Sequence, residues 1–106
     1  MAIDSDALFF PYAQEGLQPP PRGLMRAIDR RLRVTLNYLD GTGARTRRTV
    51  RPLGVLPGGS TGLLAAWCEL RGDFRTFRLD RIAGLRTGSR FPPEPGRTLT
   101  DYLGVV

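Results

Sequence analysis

The sequence predicts a mainly β protein, in which five short antiparallel strands form a small, partly open barrel preceded by one short α-helix. Apolar and polar side chains alternate from Leu32 onwards, and glycine-containing turns separate the apolar runs. Only one earlier stretch has helical periodicity, and no strand–helix–strand pattern or internal repeat is present. The 106 residues are enough for one compact domain.

The helix and the first strand are predicted from a change in the spacing of apolar residues along the chain. Apolar residues recur every three to four positions in residues 22–31, and the three prolines of residues 19–21 suit the start of a helix. From residue 32 to residue 38 the period falls to two, which predicts a half-buried strand. Residues 40–43, Asp-Gly-Thr-Gly, predict a hairpin turn after it.

Two further strands are predicted in the middle of the chain. Residues 44–55 are rich in β-forming residues and arginine, and Pro52 is expected to break or bend this second strand because proline offers no amide donor. A turn is predicted over residues 56–60. Residues 63–70 are so continuously apolar that they predict the central strand, buried on both faces.

The last part of the chain predicts two more strands and a tail. A turn at residues 71–73 leads to a fourth strand over residues 74–82, and Gly84 and Gly88 bracket a short fifth strand at residues 85–87. The remainder predicts a loop and one helical turn that packs back on the body. The domain organisation is therefore an N-terminal extension (1–18), the barrel with its helix (19–90) and a C-terminal tail (91–106).

Composition argues against an enzyme, and we expect neither a cofactor nor a metal. The chain has one cysteine, Cys68, and no histidine, so histidine-assisted nucleophiles and histidine metal ligands are excluded. The N-terminus has no basic region followed by a long apolar stretch, and no run approaches the roughly 18 to 20 apolar residues of a membrane span. We therefore expect a cytoplasmic protein that does not bind membranes.

Positive charge is concentrated in two blocks. Sixteen arginines and no lysine give a net charge of +6 and an isoelectric point of about 11.0. Residues 22–51 hold nine arginines against two aspartates, and residues 71–90 hold six against two. This asymmetry favours an anionic ligand. The alternative interpretation is that arginine simply replaces lysine as a solvating surface residue.

The candidate site consists of arginines on two strands with aromatic residues close in sequence. Guanidinium groups bind phosphates in a planar fork and stack on bases, and small barrels that bind single strands combine a cationic groove with stacking side chains. In the alternative interpretation the aromatic residues are core. The predicted anion-binding residues are Arg48, Arg51, Arg71, Arg75, Arg78 and Arg81, with Arg47 on the same strand, and the predicted stacking residues are Tyr38 and Trp67.

Several stretches resemble the WYL domain family, over residues 24 to about 91. They are Arg26-Ala27-Ile28, Leu36-Asn37-Tyr38, Arg48-Thr49-Val50-Arg51-Pro52-Leu53-Gly54 and, above all, residues 66–82, which read AWCELRGDFRTFRLDRI. The position of the family's Trp-Tyr-Leu triplet holds Gly62-Leu63-Leu64, so two aromatic side chains are absent. The resemblance implies an Sm-like, SH3-type five-stranded barrel.

The same resemblance implies a function and partners. WYL domains are found in bacterial transcription regulators that carry a helix-turn-helix region, and they are thought to sense single-stranded DNA or other anionic effectors. Where the motifs match, the resemblance implies an anion-binding role for Arg48, Arg51, Arg75, Arg78 and Arg81, and more weakly for Arg71. No helix-turn-helix precedes this domain, which predicts a fragment of a longer regulator or a free-standing module. The alternative function is a protein–protein interaction or homodimerisation module without a nucleic-acid ligand.

Overall fold

The computed structural model describes residues 19–58 and 61–105. The predicted N-terminal extension lies outside these residues. The elements, in chain order, are α1 (Leu24–Arg30), β1 (Leu32–Leu39), β2 (Arg45–Gly58), β3 (Thr61–Cys68), β4 (Asp73–Arg78), a 3-10 turn (Leu79–Arg81), β5 (Ile82–Arg90) and α2 (Leu99–Val105).

The five strands form one antiparallel sheet in the order β4-β3-β2-β1-β5, which confirms the predicted mainly β class. The sheet curls but does not close into a hydrogen-bonded ring, so "barrel" describes it approximately. The prediction that residues 63–70 form the central strand is wrong, because β3 lies second from the edge, although it is buried along nearly its whole length as predicted. β2 is the central strand, and it changes partner along its length. Its first half pairs with β1 as far as Val34 opposite Val50, and its second half pairs with β3 from Arg51 opposite Trp67.

The prediction that Pro52 breaks or bends the second strand is wrong as to the break, because β2 continues through it to Gly58. The pairing with β3 shifts register between Pro52 and Gly54, so an irregularity in the ladder accommodates the missing amide donor. The predicted turn at residues 56–60 is correspondingly wrong for its first three residues, which belong to β2.

Three other strand boundaries also differ from the prediction. β3 begins at Thr61 and ends at Cys68, so the end predicted at residue 70 is two residues too late. β4 ends at Arg78, where the chain enters the 3-10 turn that reverses it towards β5. β5 is longer than predicted because Gly84 and Gly88 lie within the strand, with a register shift against β1 beside Gly84.

The core lies on the concave face of the sheet under α1. Leu24 and Ala27 of the helix pack with fully buried side chains of the strands, including Val34, Leu36 and Leu64. The helix is shorter than predicted at both ends because Gly23 and Arg31, which flank it, both have positive φ values. The core therefore fixes the relative positions of the strands on which the candidate site residues lie.

A second apolar layer covers the convex face of β3 and β4. Trp67 and Phe74 meet edge to face with ring centroids 5.0 Å apart, and Phe74 meets Tyr102 of α2 in the same way at 5.7 Å. The hydroxyl groups of Tyr102 and Thr76 share a hydrogen bond of 2.5 Å. The predicted helical turn near the C-terminus is thus a seven-residue helix that packs on the sheet. None of the described helices is long and apolar enough to cross a membrane.

We expect Tyr102→Ala to lower the free energy of unfolding by about 3 kcal/mol, because it empties a buried ring site and leaves Thr76 unpaired. The matched control is Leu103→Ala, since the neighbouring leucine is 53% exposed and should cost at most about 0.5 kcal/mol. Urea unfolding monitored by Trp67 fluorescence measures both values. Equal losses in the two variants would show that α2 does not stabilise the sheet.

Candidate anion-binding site

An ion-pair cluster around the buried Arg51 divides the convex face of the sheet into a covered half and an open half. Arg51 is 6% exposed and lies where β2 changes partner from β1 to β3. Its Nε donates to Glu69 Oε2 at 2.5 Å, one terminal nitrogen donates to Glu94 Oε1 at 2.5 Å, and its guanidinium lies 5.3 Å from the ring centre of Phe91. The cluster ties β2, the end of β3 and the C-terminal segment together.

The carboxylates of this cluster are held in their charged form. Burial raises the pKa of Glu69, but hydrogen bonds from Arg51 and from Arg33, whose Nε lies 2.9 Å away, outweigh it and lower the pKa below its usual value. The hydrogen bond from Arg51 likewise lowers the pKa of Glu94. The positive charge of Arg51 is therefore paired with two carboxylates.

The first half of β2 keeps its convex face open. Arg45, Arg47 and Thr49 are all exposed there, opposite Leu39, Asn37 and Thr35 of β1. Exposed residues alternate with half-buried ones in this strand as far as Thr49. Arg51 has the same parity, yet it is buried because the C-terminal segment covers the face from that residue onwards.

A cleft opens along the free edge of this half of β2. β3 pairs with β2 only from Arg51 onwards, so no described strand covers the edge upstream, and the turn after Cys68 forms the opposite wall. The cavity measures about 400 Å³. We call it the arginine cleft, and its lining residues are Thr46, Arg47, Arg48, Thr49, Cys68, Leu70 and Arg71.

The arginine cleft is cationic without a compensating acid. None of the described carboxylates lies within ion-pair distance of Arg47, Arg48 or Arg71. Glu69 and Asp73 are the acids nearest to Arg71 in sequence, but Glu69 is paired with Arg33 and Arg51, and Asp73 is paired with Arg75. The arrangement therefore offers three guanidinium groups to an anion.

The structure distributes the other predicted arginines differently. Arg75 lies on β4 opposite Ala66, with its Nε 3.3 Å from an oxygen of Asp73. Arg78 forms a two-pronged pair with Asp80, at 3.0 Å and 2.7 Å, and this hydrogen bonding raises the pKa of Arg78 and lowers that of Asp80. Arg81 is half-buried in the 3-10 turn. Of the six predicted residues, the arginine cleft therefore gathers Arg48 and Arg71.

The two predicted stacking residues differ in their surroundings. Trp67 is 9% exposed and packs against Phe74, with the guanidinium of Arg97 5.0 Å from its ring centre, so the C-terminal segment covers it. Tyr38 is half-buried, its ring meets Phe77 edge to face at 5.1 Å, and its hydroxyl accepts a hydrogen bond from the backbone N–H of Arg78 at 3.0 Å. The interpretation of these rings as packing residues fits this arrangement.

Sequence reasoning did not single out Thr46, Thr49 and Leu70 as part of the site. Nothing in the local pattern marks them, because they meet only where β2 and the turn after β3 diverge. Leu70 ends the apolar run that is predicted to be buried, yet it is 89% exposed. An apolar residue at the end of a predicted strand was the one sequence feature that could have pointed to it. Among the described residues, no cluster of three or more potential metal ligands occurs.

Comparisons with known proteins agree with this architecture. A family model described as the WYL domain matches residues 22–87. Among solved structures, the chain is similar to proteasome accessory factor B/C (PafBC) of Arthrobacter aurescens, with a TM-score of 0.61 and 28% sequence identity. The similarity covers 69% of this chain and 12% of that chain.

The ion-pair cluster predicts a loss of stability in acid. The pKa values of Glu69 and Glu94 are lower in the folded protein than the value of about 4.5 expected in the unfolded chain. The ion pairs therefore contribute their full stability to the folded state above about pH 4.5, and this contribution is lost as the pH falls through the lower pKa values of the folded state. Urea unfolding between about pH 6 and pH 3 should show this decline. In the double variant Glu69→Gln and Glu94→Gln the decline should be shallower.

The matched control for this acid series is Asp29→Asn, on the exposed side of α1 and outside every ion pair of the described residues. It should reproduce the pH profile of the unmodified protein. A double variant whose profile is as steep as that of the control would show that the cluster is not the source of the pH dependence.

Proposed function

Because the chain belongs to the WYL domain family, we propose that it is a non-enzymatic regulatory domain of transcription control that binds an anionic effector in the arginine cleft. The ligand class is a single-stranded nucleic acid or a nucleotide-like molecule. Family membership and the similarity to PafBC support the regulatory role. Since the chain spans only a small part of that protein, we propose that a helix-turn-helix region elsewhere reads out the effector.

One observation carries the choice of site. Arg47, Arg48 and Arg71 converge on one cavity and have no carboxylate partner among the described residues, whereas Arg51 and Arg78 are each paired with an acid. An unpaired guanidinium retains its full attraction for phosphate, while a paired one must first lose its partner. The arginine cleft is therefore the best place in the described structure for a phosphate-bearing ligand.

The shape of the arginine cleft favours a single strand over a duplex. The arginine cleft is a cavity of about 400 Å³ bounded by the free edge of β2 and the turn after β3. A flexible single strand can adapt its backbone to place phosphates in this cavity against the arginines, which a rigid duplex does less readily.

A protein partner is the second candidate function, and Leu70 favours it. This leucine is 89% exposed at the rim of the arginine cleft, beside a strand edge that no described strand covers. An acidic extended peptide could add to that edge and place an apolar residue on Leu70. Binding of this kind, or homodimerisation through the same edge, would be insensitive to oligonucleotides.

We expect Arg48→Ala and Arg71→Ala each to weaken binding of a fluorescein-labelled oligothymidylate about threefold to tenfold at low salt. Each should also reduce the slope of log affinity against log salt by about 0.7, the value for one phosphate contact to a single strand. Fluorescence anisotropy at a series of salt concentrations measures both quantities. Duplex DNA of the same length should bind more weakly than the single strand.

The matched control for this binding series is Arg30→Ala, which removes the same charge from the exposed last turn of α1. It should change the affinity less than twofold, because its effect on the ligand is long-range and screened. Equal effects of all three variants would show non-specific attraction to net charge. Binding that does not depend on salt would contradict a phosphate site.

A further inference from the structure

A second cavity opens at the turn end of the β1–β2 hairpin and adjoins the arginine cleft. It measures about 440 Å³, and its walls include Leu39, Arg45 and Ala83. We call it the hairpin pocket. Arg47 lines both the hairpin pocket and the arginine cleft, so a group that fills the pocket also covers one of the three arginines of the cleft.

The hairpin pocket combines an apolar floor with positive charge. Leu39 is 41% exposed although it is a large apolar residue, and Ala83 is exposed as well. Arg45 lies directly opposite Leu39 in the strand register, and Arg47 follows on the same face of β2. None of the described carboxylates lies within ion-pair distance of either arginine. The pocket therefore suits an occupant that carries both apolar side chains and carboxylates.

The N-terminal segment of the chain, residues 1–18, has this combination in its sequence. It lies outside the described residues. It contains Asp4, Asp6 and Glu15 and no arginine or lysine, whereas all sixteen arginines of the chain follow it. Residues 8–12 read Leu-Phe-Phe-Pro-Tyr, so an apolar cluster follows the two aspartates directly. The segment is therefore complementary to the hairpin pocket in charge and in apolar character.

The segment joins the described structure close to the hairpin pocket. Pro19 lines a groove beside β5, and Ala83 belongs both to this groove and to the hairpin pocket. The linker of residues 13–18 between the apolar cluster and Pro19 spans about 20 Å when extended. Because the groove and the pocket share a residue, this length is enough for residues 8–12 to reach the pocket of their own molecule.

We propose that residues 4–12 bind in the hairpin pocket of their own molecule. Their apolar side chains cover Leu39 and Ala83, and their two aspartates pair with Arg45 and Arg47. A short linker gives such a segment an effective concentration of about millimolar, so exposed ion pairs that are weak individually are sufficient. The bound segment occupies Arg47 and thereby competes with an anionic ligand of the arginine cleft. This competition rests on the proposed function, whereas the binding of the segment does not.

The first experiment uses the full chain without a ligand. In NMR spectra of the labelled protein, the double variant Phe9→Ser and Phe10→Ser should shift the amide signals of residues 37–39 and 45–47, because the apolar contacts of the segment are lost. The signal of Leu64 in the core should stay in place. Unchanged signals of residues 37–39 would overturn the proposal.

The matched control is Leu17→Ser, which makes the same kind of change in the linker and should leave the signals of residues 37–39 in place. The shifts in the phenylalanine variant should also be independent of protein concentration over about a tenfold range, because the linker joins the segment to its own pocket. Shifts that appear only at the higher concentrations would show binding to a second copy, and would overturn binding within one molecule.

The ion pairs have a test of their own. The double variant Asp4→Asn and Asp6→Asn should move the signals of residues 37–39 in the same direction as the phenylalanine variant, because the pairs with the two arginines of the pocket are lost. Glu15→Gln, which removes a carboxylate from the linker, is the control and should not move them. Equal shifts in both variants would show general attraction between opposite charges and would overturn the assigned pairs.

Competition is measured with labelled oligothymidylate by fluorescence anisotropy at low salt. The variant Phe9→Ser and Phe10→Ser should bind about threefold to tenfold more tightly than the unmodified protein, because Arg47 is free in a larger fraction of the molecules. The net charge is unchanged in this variant, so general electrostatics does not account for such a gain. Shifted NMR signals with unchanged affinity would overturn the competition. If no form binds the oligonucleotide, the proposed function is wrong, while the NMR shifts without ligand still decide whether the segment binds in the pocket.

Discussion

The structure depends on the point where β2 leaves one partner strand and takes another. Arg51 lies at this point, and its guanidinium neutralises Glu69 from the end of β3 and Glu94 from the C-terminal segment. A buried arginine without these carboxylates would be costly, so the three segments are held together as a set. By pairing with Glu69, this cluster also keeps one of the two acids nearest to Arg71 in sequence away from the arginine cleft. The same interaction therefore supports the fold and keeps the cleft cationic.

This constraint gives the two halves of the convex face different roles. Beyond Arg51, the face is covered by the C-terminal segment, and its aromatic residues Trp67 and Phe74 stabilise a second apolar layer. Before Arg51, the face and the strand edge are open and carry arginine, threonine and asparagine side chains. Ligand binding in the open half should thus leave the covered half intact. The turn after β3 connects the two halves, because its Glu69 belongs to the ion-pair cluster while its Leu70 and Arg71 line the arginine cleft.

The sequence was sufficient to predict the class of the fold, because alternation and turn residues are local signals. The helix, the first strand and the hairpin turn were close to their observed positions for that reason. Proline and glycine led to wrong strand ends in the prediction, because such residues normally end strands. In the structure β2 continues through Pro52 with an irregularity in its pairing, and β5 continues through Gly84 with a register shift beside it. Such irregularities depend on partner strands, which a single-sequence pattern does not reveal.

The candidate site was only partly predictable, since charge is visible in a sequence but pairing is not. Arg48 and Arg51 looked equivalent, three residues apart in one basic strand, yet Arg51 is buried between two glutamates that lie 18 and 43 residues away in sequence. An NMR titration of the labelled protein with oligothymidylate at low salt tests the central claim most directly. We expect amide shifts in residues 46–49 and 68–71, with little change at Trp67 and in α2. Shifts centred instead on residues 75–81, or on α1, would contradict it.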